Sequence, residues 1–161
     1  MEANPLRLLY GEYDLTIDEK NRLLIPSEIR RLLDAEKDGQ AFFLVVGVNR
    51  IPWLYPEKYY EQLALGEQPE MIPEEDLLAF RQMNFGMASR LEWDKQGRVL
   101  IPEKAMRRMR LERDVTLVGT MDHLEIWGRQ AWEERYTQLD TRRPEIALRA
   151  KQLRQAGAPA Q

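Results

Sequence analysis

Asp94-Lys95-Gln96-Gly97-Arg98-Val99-Leu100-Ile101-Pro102 is the stretch that decides the fold, because the chain contains it twice. The earlier copy is Asp18-Glu19-Lys20-Asn21-Arg22-Leu23-Leu24-Ile25-Pro26, which has Asp, Arg, Leu, Ile and Pro at the same offsets. Alternating apolar and polar residues precede each copy, and a short apolar run and a helix-like segment follow it. The chain therefore reads as one fold written twice, and each half presents a turn that carries a cation.

Length and composition indicate a soluble globular protein. The chain has 161 residues, of which 43% are hydrophobic and 32% are charged, which allows one ordinary domain or two small ones. A repeat of about 75 residues is near the size at which one core is marginal alone, so the two halves are expected to share a core or dock tightly. No apolar run approaches the ~20 residues of a membrane span, and residues 1–5 lack the features of a signal peptide. We expect a cytoplasmic protein without a membrane partner.

The charge is distributed unevenly between the two halves. The net charge of −3 argues by itself against a nucleic-acid binder, but residues 1–80 carry 8 Lys and Arg against 16 Asp and Glu, whereas residues 81–161 carry 16 against 11. This asymmetry suggests a polyanionic partner for part of the surface. The alternative is two solvated faces of opposite charge. The basic run Arg107, Arg108 and Arg110 is open to three interpretations: part of a DNA surface, a subunit interface facing the acidic half, or a solvated helix end.

The pattern of hydrophobic residues predicts the same order of elements in each half. Strands are predicted over residues 6–17, 22–25, 41–48, 51–55, 85–93, 98–101, 115–119 and 123–127, with Gly11 as a bulge in the first. Helices are predicted after Pro26, from Pro56, over 73–83, over 103–109, from Gln130 and over 145–155. This order divides the chain into a first repeat (6–65), a linker and helix (66–83), a second repeat (84–139) and a partly helical C-terminal tail (140–161).

The four residues at the start of each motif are predicted to form a turn between paired strands. Asp18 and Asp94 can accept hydrogen bonds from backbone N–H groups two residues further on. Gly97 provides a left-handed conformation without steric cost, and Asn21 stands at the equivalent position as the commonest non-glycine substitute. The same turn geometry is therefore expected in both copies.

Each turn ends in a pair of cations. Arg22 and Arg98 occupy the first strand position after the turn, with Lys20 in one loop and Lys95 in the other. The guanidinium group is a planar five-donor fork that suits phosphate oxygens or the edge of a guanine. The alternative is an ion pair between each arginine and the aspartate of its own turn. The two interpretations are compatible, because the aspartate can orient the arginine that binds the ligand.

These motifs resemble those of the MraZ family, a group of AbrB-like, swapped-hairpin DNA-binding proteins. The shared pattern is Asp-x-Lys-Gly-Arg, two hydrophobic residues, Ile and Pro, twice per chain, with Glu-Ile-Trp near the end of residues 6–139. The resemblance implies an α+β fold of two tandem AbrB-like swapped-hairpin β-barrel halves, related by a pseudo-two-fold axis, with short peripheral helices. The chain departs from the pattern at Asn21, which replaces glycine, and at Gln96, which removes a charge that Lys95 restores next door.

The resemblance also implies a function. MraZ proteins are bacterial regulators that bind repeated elements upstream of the division and cell-wall gene cluster, so the expected partners are double-stranded promoter DNA and further copies of the chain in a ring. The binding residues carried over are Lys20, Arg22, Lys95 and Arg98, in turns oriented by Asp18, Asn21, Asp94 and Gly97. The expected location is the nucleoid, and no metal or organic cofactor is expected. The alternative function is an oligomeric protein–protein interaction module that binds no DNA.

No catalytic site is predicted. Asp18 and Asp94 are followed by Glu-Lys and Lys-Gln, where the aspartate dyad of an aspartic protease needs Thr or Ser and then Gly. His123 is the only histidine, and we predict a surface or half-buried residue with no cluster of potential ligands nearby. Phosphate-binding glycine loops, nucleophile elbows and metal-binding patterns are absent from the sequence. A strand pattern follows Arg31-Leu32-Leu33 where a helix-turn-helix would need a recognition helix. The sequence therefore favours a binding protein over an enzyme.

Overall fold

The computed structural model describes residues 8–67, 69, 71 and 74–157. These residues form eight strands: β1 Glu12–Thr16, β2 Arg22–Leu24, β3 Ala41–Val46, β4 Pro52–Pro56, β5 Ser89–Glu92, β6 Arg98–Leu100, β7 Asp114–Gly119 and β8 Leu124–Gly128. The helices are α1 Ser27–Leu32, α2 Ala35–Asp38, α3 Glu57–Leu65, α4 Glu75–Arg81, α5 Glu103–Arg108, α6 Arg129–Thr141 and α7 Arg143–Ala156, with a π-helical turn at Gln82–Gly86. The predicted mixed architecture, with antiparallel strands and short helices, is confirmed. None of the described helices is long and apolar enough to cross a membrane.

The described chain separates into two compact units, one ending at Gly128 and the other beginning at Arg129. The first unit contains both motif copies and all eight strands. The second consists of helices α6 and α7. The motif turns and their surroundings therefore belong to the first unit.

The two repeats exchange strands. A six-stranded antiparallel sheet has the order β1-β7-β8-β4-β3-β5, so β1 of the first repeat pairs with β7 of the second, and β5 of the second pairs with β3 of the first. The short strands after the two turns, β2 and β6, pair with each other as a separate two-stranded sheet. We call this pair the β2–β6 ribbon. Neither repeat has a complete sheet of its own.

The expected pairing of strands across each motif turn is largely replaced by this exchange. Each turn is closed locally, by hydrogen bonds such as Asp18 N–H to Arg22 C=O at 3.0 Å, but the strand after the turn leaves its predecessor and pairs with its equivalent in the other repeat. Leu23 lies opposite Val99, and these two are equivalent positions of the motif, so they mark a local two-fold relation. The β-barrel part of the predicted fold is not seen. Within the described residues the larger sheet stays open at its edge strands, β1 and β5. The strands that follow these edges, β2 and β6, pair with each other and do not join the larger sheet.

The hydrophobic core of the first unit joins the ribbon to the large sheet. Side chains from both motif copies are fully buried in it, together with residues of the sheet; among them are Leu23, Ile25, Val99, Ile101, Phe42, Leu44, Leu54, Leu117, Leu124 and Ile126. Proline ends each ribbon strand because it has no N–H to donate. It then serves as the residue before helix α1 or α5, whose inward side chains, Ile29 and Ala105, join the same core. The two repeats thus share one core.

Most elements are predicted correctly, and apart from one missed short helix the errors lie at element boundaries. The first strand begins at Glu12 rather than residue 6, because Gly11 adopts φ +96°; residues 6 and 7 lie outside the described residues. The strand predicted from Phe85 is wrong there, since the π-helical turn extends to Gly86 and β5 begins at Ser89. The short helix α2 was not predicted, and the predicted helix start at Pro73 lies outside the described residues. The strand prediction fails at residues 85–86 because apolar residues in a short segment fit a strand and a helical turn equally well.

The ribbon supplies a matched pair of stability tests. Leu23 is fully buried and Leu24, its neighbour in the same strand, is 45% exposed. We expect Leu23→Ala to lower the free energy of unfolding by about 2–5 kcal/mol, because it leaves a cavity where the two repeats meet. Leu24→Ala is expected to cost less than about 1 kcal/mol. Urea unfolding followed by circular dichroism measures both. Equal losses would contradict the assignment of the inward and outward faces.

Candidate nucleic-acid interface

The two motif turns have the same hydrogen-bond pattern. In the first, Oδ1 of Asp18 accepts the backbone N–H groups of Lys20 at 2.9 Å and Arg22 at 2.8 Å. In the second, Oδ1 of Asp94 accepts those of Gln96 at 2.8 Å and Arg98 at 3.0 Å. The left-handed position is Asn21 (φ +61°) in one turn and Gly97 (φ +81°) in the other. The aspartate side chain therefore closes the turn in both repeats.

Each aspartate also holds the arginine of its own turn. The Nε–H group of Arg22 donates to Oδ2 of Asp18 at 2.7 Å, and that of Arg98 donates to Oδ2 of Asp94 at 2.9 Å. The arginine side chains keep 31% and 29% of their surface exposed. Among the described residues, the Nη groups of both arginines have no hydrogen-bond partner. Each guanidinium is fixed at one edge and retains its outer donors for a ligand.

The pKa values of both aspartates lie below the ordinary value. For Asp18, the backbone N–H of Arg22 is the largest cause; desolvation opposes it, and the side chain of Arg22 lowers the pKa further. For Asp94, the backbone N–H of Arg98 is likewise the largest cause. Hydrogen bonds to a carboxylate favour its ionised form. The turns are therefore held by aspartate anions at neutral pH.

The β2–β6 ribbon places the two arginines on one face. Arg22 lies opposite Leu100 and Leu24 lies opposite Arg98, with the buried pair Leu23 and Val99 between them. Alternate residues of a strand point to opposite faces, and residues paired across strands share a face. The outward face therefore carries two arginines and two leucines. We call these four side chains the ribbon patch.

The remaining predicted cations lie in the turns beside this patch. Lys20 and Lys95 are exposed, and their ammonium groups have no partner within the described part of the chain. Arg107, Arg108 and Arg110 are also exposed, at the end of helix α5 and in the turn after it. The structure thus brings the four predicted DNA-binding residues to the region of the ribbon.

Two further arginines brace the turns, and sequence reasoning missed both. Nη1 of Arg113 donates to the backbone carbonyl of Asp18 and, at 3.2 Å, to Oδ1 of Asn21. At the second turn, Nε of Arg30 donates to the carbonyl of Ile25 at 3.0 Å and lies 2.5 Å from the place where a Cβ on Gly97 would be. Asn21 and Arg113 are 92 positions apart, so no local pattern indicates this contact. For Arg30 the only signal in the sequence is Gly97, which lies beside it in the fold and leaves space for a close contact.

The single histidine lies elsewhere, in a buried polar cluster, so the prediction of a surface or half-buried position is wrong. The ring of His123 stacks on Trp53 with centroids 3.9 Å apart, and its nitrogens lie 2.7 Å from Oδ1 of Asp122 and 3.3 Å from Oε2 of Glu125. Burial lowers the pKa of His123, but hydrogen bonds with the two carboxylates outweigh it, so the pKa is raised. No set of three or more His, Asp or Glu side chains in the described chain is arranged to hold a metal ion.

Comparison with known proteins identifies relatives that cover most of this chain. The family model described as "MraZ protein, putative antitoxin-like" matches residues 8–80 and again 84–154. A protein of Clostridium tetani named "Transcriptional regulator MraZ" is 35% identical over 79% of this chain and 86% of its own length. Proteins of the same name from Thermoanaerobacter sp. and Thermoanaerobacter pseudethanolicus are each 31% identical, over 87% and 91% of this chain and 94% and 99% of their own. The two matched regions correspond to the two motif copies.

Arg113 contacts Asn21 and Arg30 packs against Gly97, so the two left-handed positions are expected to tolerate substitution differently. Gly97→Asn is expected to lower the free energy of unfolding by about 1–3 kcal/mol, since the new side chain must displace Arg30. Asn21→Gly is expected to change it by less than about 1 kcal/mol, because the loss of one hydrogen bond to Arg113 is offset by relief of left-handed strain. Thermal or urea unfolding measures both variants.

The background variant Arg30→Ala separates strain from the contact. In the Arg30→Ala background, Gly97→Asn is expected to lower the free energy of unfolding much less than it does in the wild type, because asparagine itself tolerates the left-handed conformation. A cost that persists without the Arg30 side chain would contradict the bracing contact.

Proposed function

Because this chain belongs to the MraZ family, we propose that it is a sequence-specific DNA-binding transcription regulator that binds repeated promoter elements through its two Arg-bearing turns. The matched relatives are named transcriptional regulators, which supports a role in transcription. The observation that carries the proposal is the ribbon patch: two guanidinium groups on one face, each with free outer donors. A regulator of this kind uses no catalytic residue and no resident metal or cofactor.

The aspartate–arginine pair explains how each turn would bind DNA. A guanidinium held at Nε presents its Nη groups outward as a planar fork, which matches O6 and N7 of guanine or two oxygens of a phosphate. Fixing a side chain before binding reduces the entropy that is lost on association. We propose that Arg22 and Arg98 recognise bases, and that Asp18 and Asp94 orient them.

The lysines of the turns have a different proposed role. Lys20 and Lys95 are exposed beside the arginines, and an ammonium group binds phosphate as a point charge without a geometric preference. Contacts to phosphate fix the position of a protein on the duplex and carry no sequence information. The lysines would therefore contribute affinity, and the arginines specificity.

Weak single contacts favour an oligomer on repeated sites. One chain offers few cations to the DNA, and linked binding units raise the effective concentration of each other. We propose a homo-oligomer, in the form of a ring, that engages several promoter elements at the nucleoid. Exposed apolar side chains on and after helix α4, Phe80, Met83 and Phe85, supply surface for subunit contacts.

The finer fold assignment is also part of the proposal. The exchange of strands between the repeats is consistent with two tandem AbrB-like swapped-hairpin units. We propose repeat limits of 6–65 and 84–139, a connecting segment at 66–83 and a tail at 140–161. The alternative function, an interaction module without DNA binding, would use the same exposed apolar surface.

The arginines give the first functional test. Arg22→Ala and Arg98→Ala are each expected to cost about 1–3 kcal/mol at every DNA contact that the arginine makes. Summed over an oligomer on repeated elements, this loss is expected to abolish the specific band in a gel shift with DNA upstream of the protein's own gene. Arg149→Ala, which removes an exposed arginine of helix α7, is the matched control and should bind normally. Light scattering should give all variants the same mass, larger than a dimer. Wild-type affinity of both turn variants would refute the assigned surface and favour the interaction module.

The lysines give a test of a different kind. The logarithm of the binding constant falls with the logarithm of the salt concentration by about 0.9 per phosphate neutralised. Lys20→Ala and Lys95→Ala are each expected to reduce this slope by about 0.9 for every subunit that contacts the DNA, and to weaken binding to specific and random DNA alike. A change in sequence preference with an unchanged salt slope would contradict a phosphate-binding role.

A further inference from the structure

The ribbon patch contains two exposed leucines that the aspartate–arginine turns do not explain. Leu24 is 45% exposed and Leu100 is 59% exposed. Single exposed leucines are normal on protein surfaces. These two occupy equivalent positions of the two motifs, on the same face as Arg22 and Arg98. The patch therefore alternates cation and hydrocarbon in a two-by-two arrangement.

The spacing of this arrangement suits a DNA groove. Residues two apart in a strand are separated by about 6.8 Å, and paired strands by about 4.8 Å. A base-pair step advances the duplex by about 3.4 Å, so two strand residues span about two steps. The major groove, about 12 Å wide, admits a two-stranded ribbon. The side chains of the patch can thus meet base edges two steps apart.

We propose that the β2–β6 ribbon enters the major groove and that Leu24 and Leu100 contact the C5 methyl groups of thymines, while Arg22 and Arg98 bind guanines beside them. The thymine methyl is the apolar group that the major groove exposes, and its contact with a hydrocarbon side chain distinguishes thymine from the other bases. This inference rests on the proposed DNA binding and adds the kind of base that the leucines recognise. The bound element contains guanine and thymine within a few base pairs.

Charge favours DNA over a second copy of this chain as the partner of the patch. Packing the patch against its own equivalent would bring four guanidinium groups into one small interface, and each would lose hydration without gaining an acceptor. The major groove offers acceptors and methyl groups together. The side chains beside the patch, Lys20 and Lys95, are cationic as well, which fits the phosphates that border a groove.

The test removes the methyl group and the leucines separately. The probe is DNA upstream of the protein's own gene, synthesised either with thymidine or with deoxyuridine, which keeps base pairing and lacks only the C5 methyl. Deoxyuridine is expected to weaken wild-type binding about fourfold for each contacted thymine, the loss that corresponds to one buried methyl-sized group. The double variant Leu24→Ala with Leu100→Ala is expected to bind thymidine DNA about tenfold or more weakly and to show no further loss with deoxyuridine.

Controls separate this inference from the proposed function. Leu148→Ala, at a leucine of helix α7 with the same 59% exposure as Leu100, should keep the wild-type response to deoxyuridine. An unchanged wild-type affinity for deoxyuridine DNA, or a double variant that remains as sensitive to deoxyuridine as the wild type, would overturn the inference while DNA binding stands. A change of oligomer mass in the double variant, with unchanged sensitivity to deoxyuridine, would instead assign the leucines to a subunit contact and also overturn it. If the wild type binds neither probe, the proposed function fails together with the inference.

Discussion

The pairing of β2 with β6 is the constraint on which the rest of the structure depends. Each strand has three residues, and its partner comes from the other repeat. Leu23 and Val99 face each other across the two strands and are fully buried, and the large sheet likewise needs strands of both repeats. A repeat of about 75 residues is marginal alone. The two copies therefore fold as one unit, and the motif turns are held together as a consequence.

The aspartate–arginine pair is better understood as an orienting device than as a source of stability. Both partners are partly exposed, and exposed ion pairs contribute little to stability because solvent screens them. The pair acts mainly on geometry, because the aspartate accepts two backbone N–H groups and one Nε–H group at once. The direction of the guanidinium is therefore coupled to the shape of the turn. A turn without its aspartate would keep the positive charge of its arginine but would no longer fix the direction of the guanidinium group.

The sequence predicts local features of this fold well, and long-range ones poorly. The turns follow from the residue types at Asp18 and Gly97, whose side-chain or backbone chemistry acts within four residues. The partner of strand β2 does not, because hydrophobic alternation assigns an inward and an outward face without naming the neighbouring strand. The bracing contact of Arg113 is equally invisible, because it joins residues 92 positions apart, and the contact of Arg30 leaves only an indirect signal in Gly97. The composition of the ribbon patch depends on the register between β2 and β6, which only the structure provides.

A comparison of the two repeats within the ribbon shows which of its faces is the more constrained. The inward position differs, Leu23 in one repeat and Val99 in the other, whereas the outward positions are identical, arginine and leucine in both. The braces beneath the turns differ as well. The next buried pair along the motif, Ile25 and Ile101, is identical in the two repeats, so packing constrains the motif where the ribbon ends. Packing does not explain the identical arginine and leucine on the outward face. A ligand that presents nearly the same surface to both halves, as a DNA duplex does, would require them.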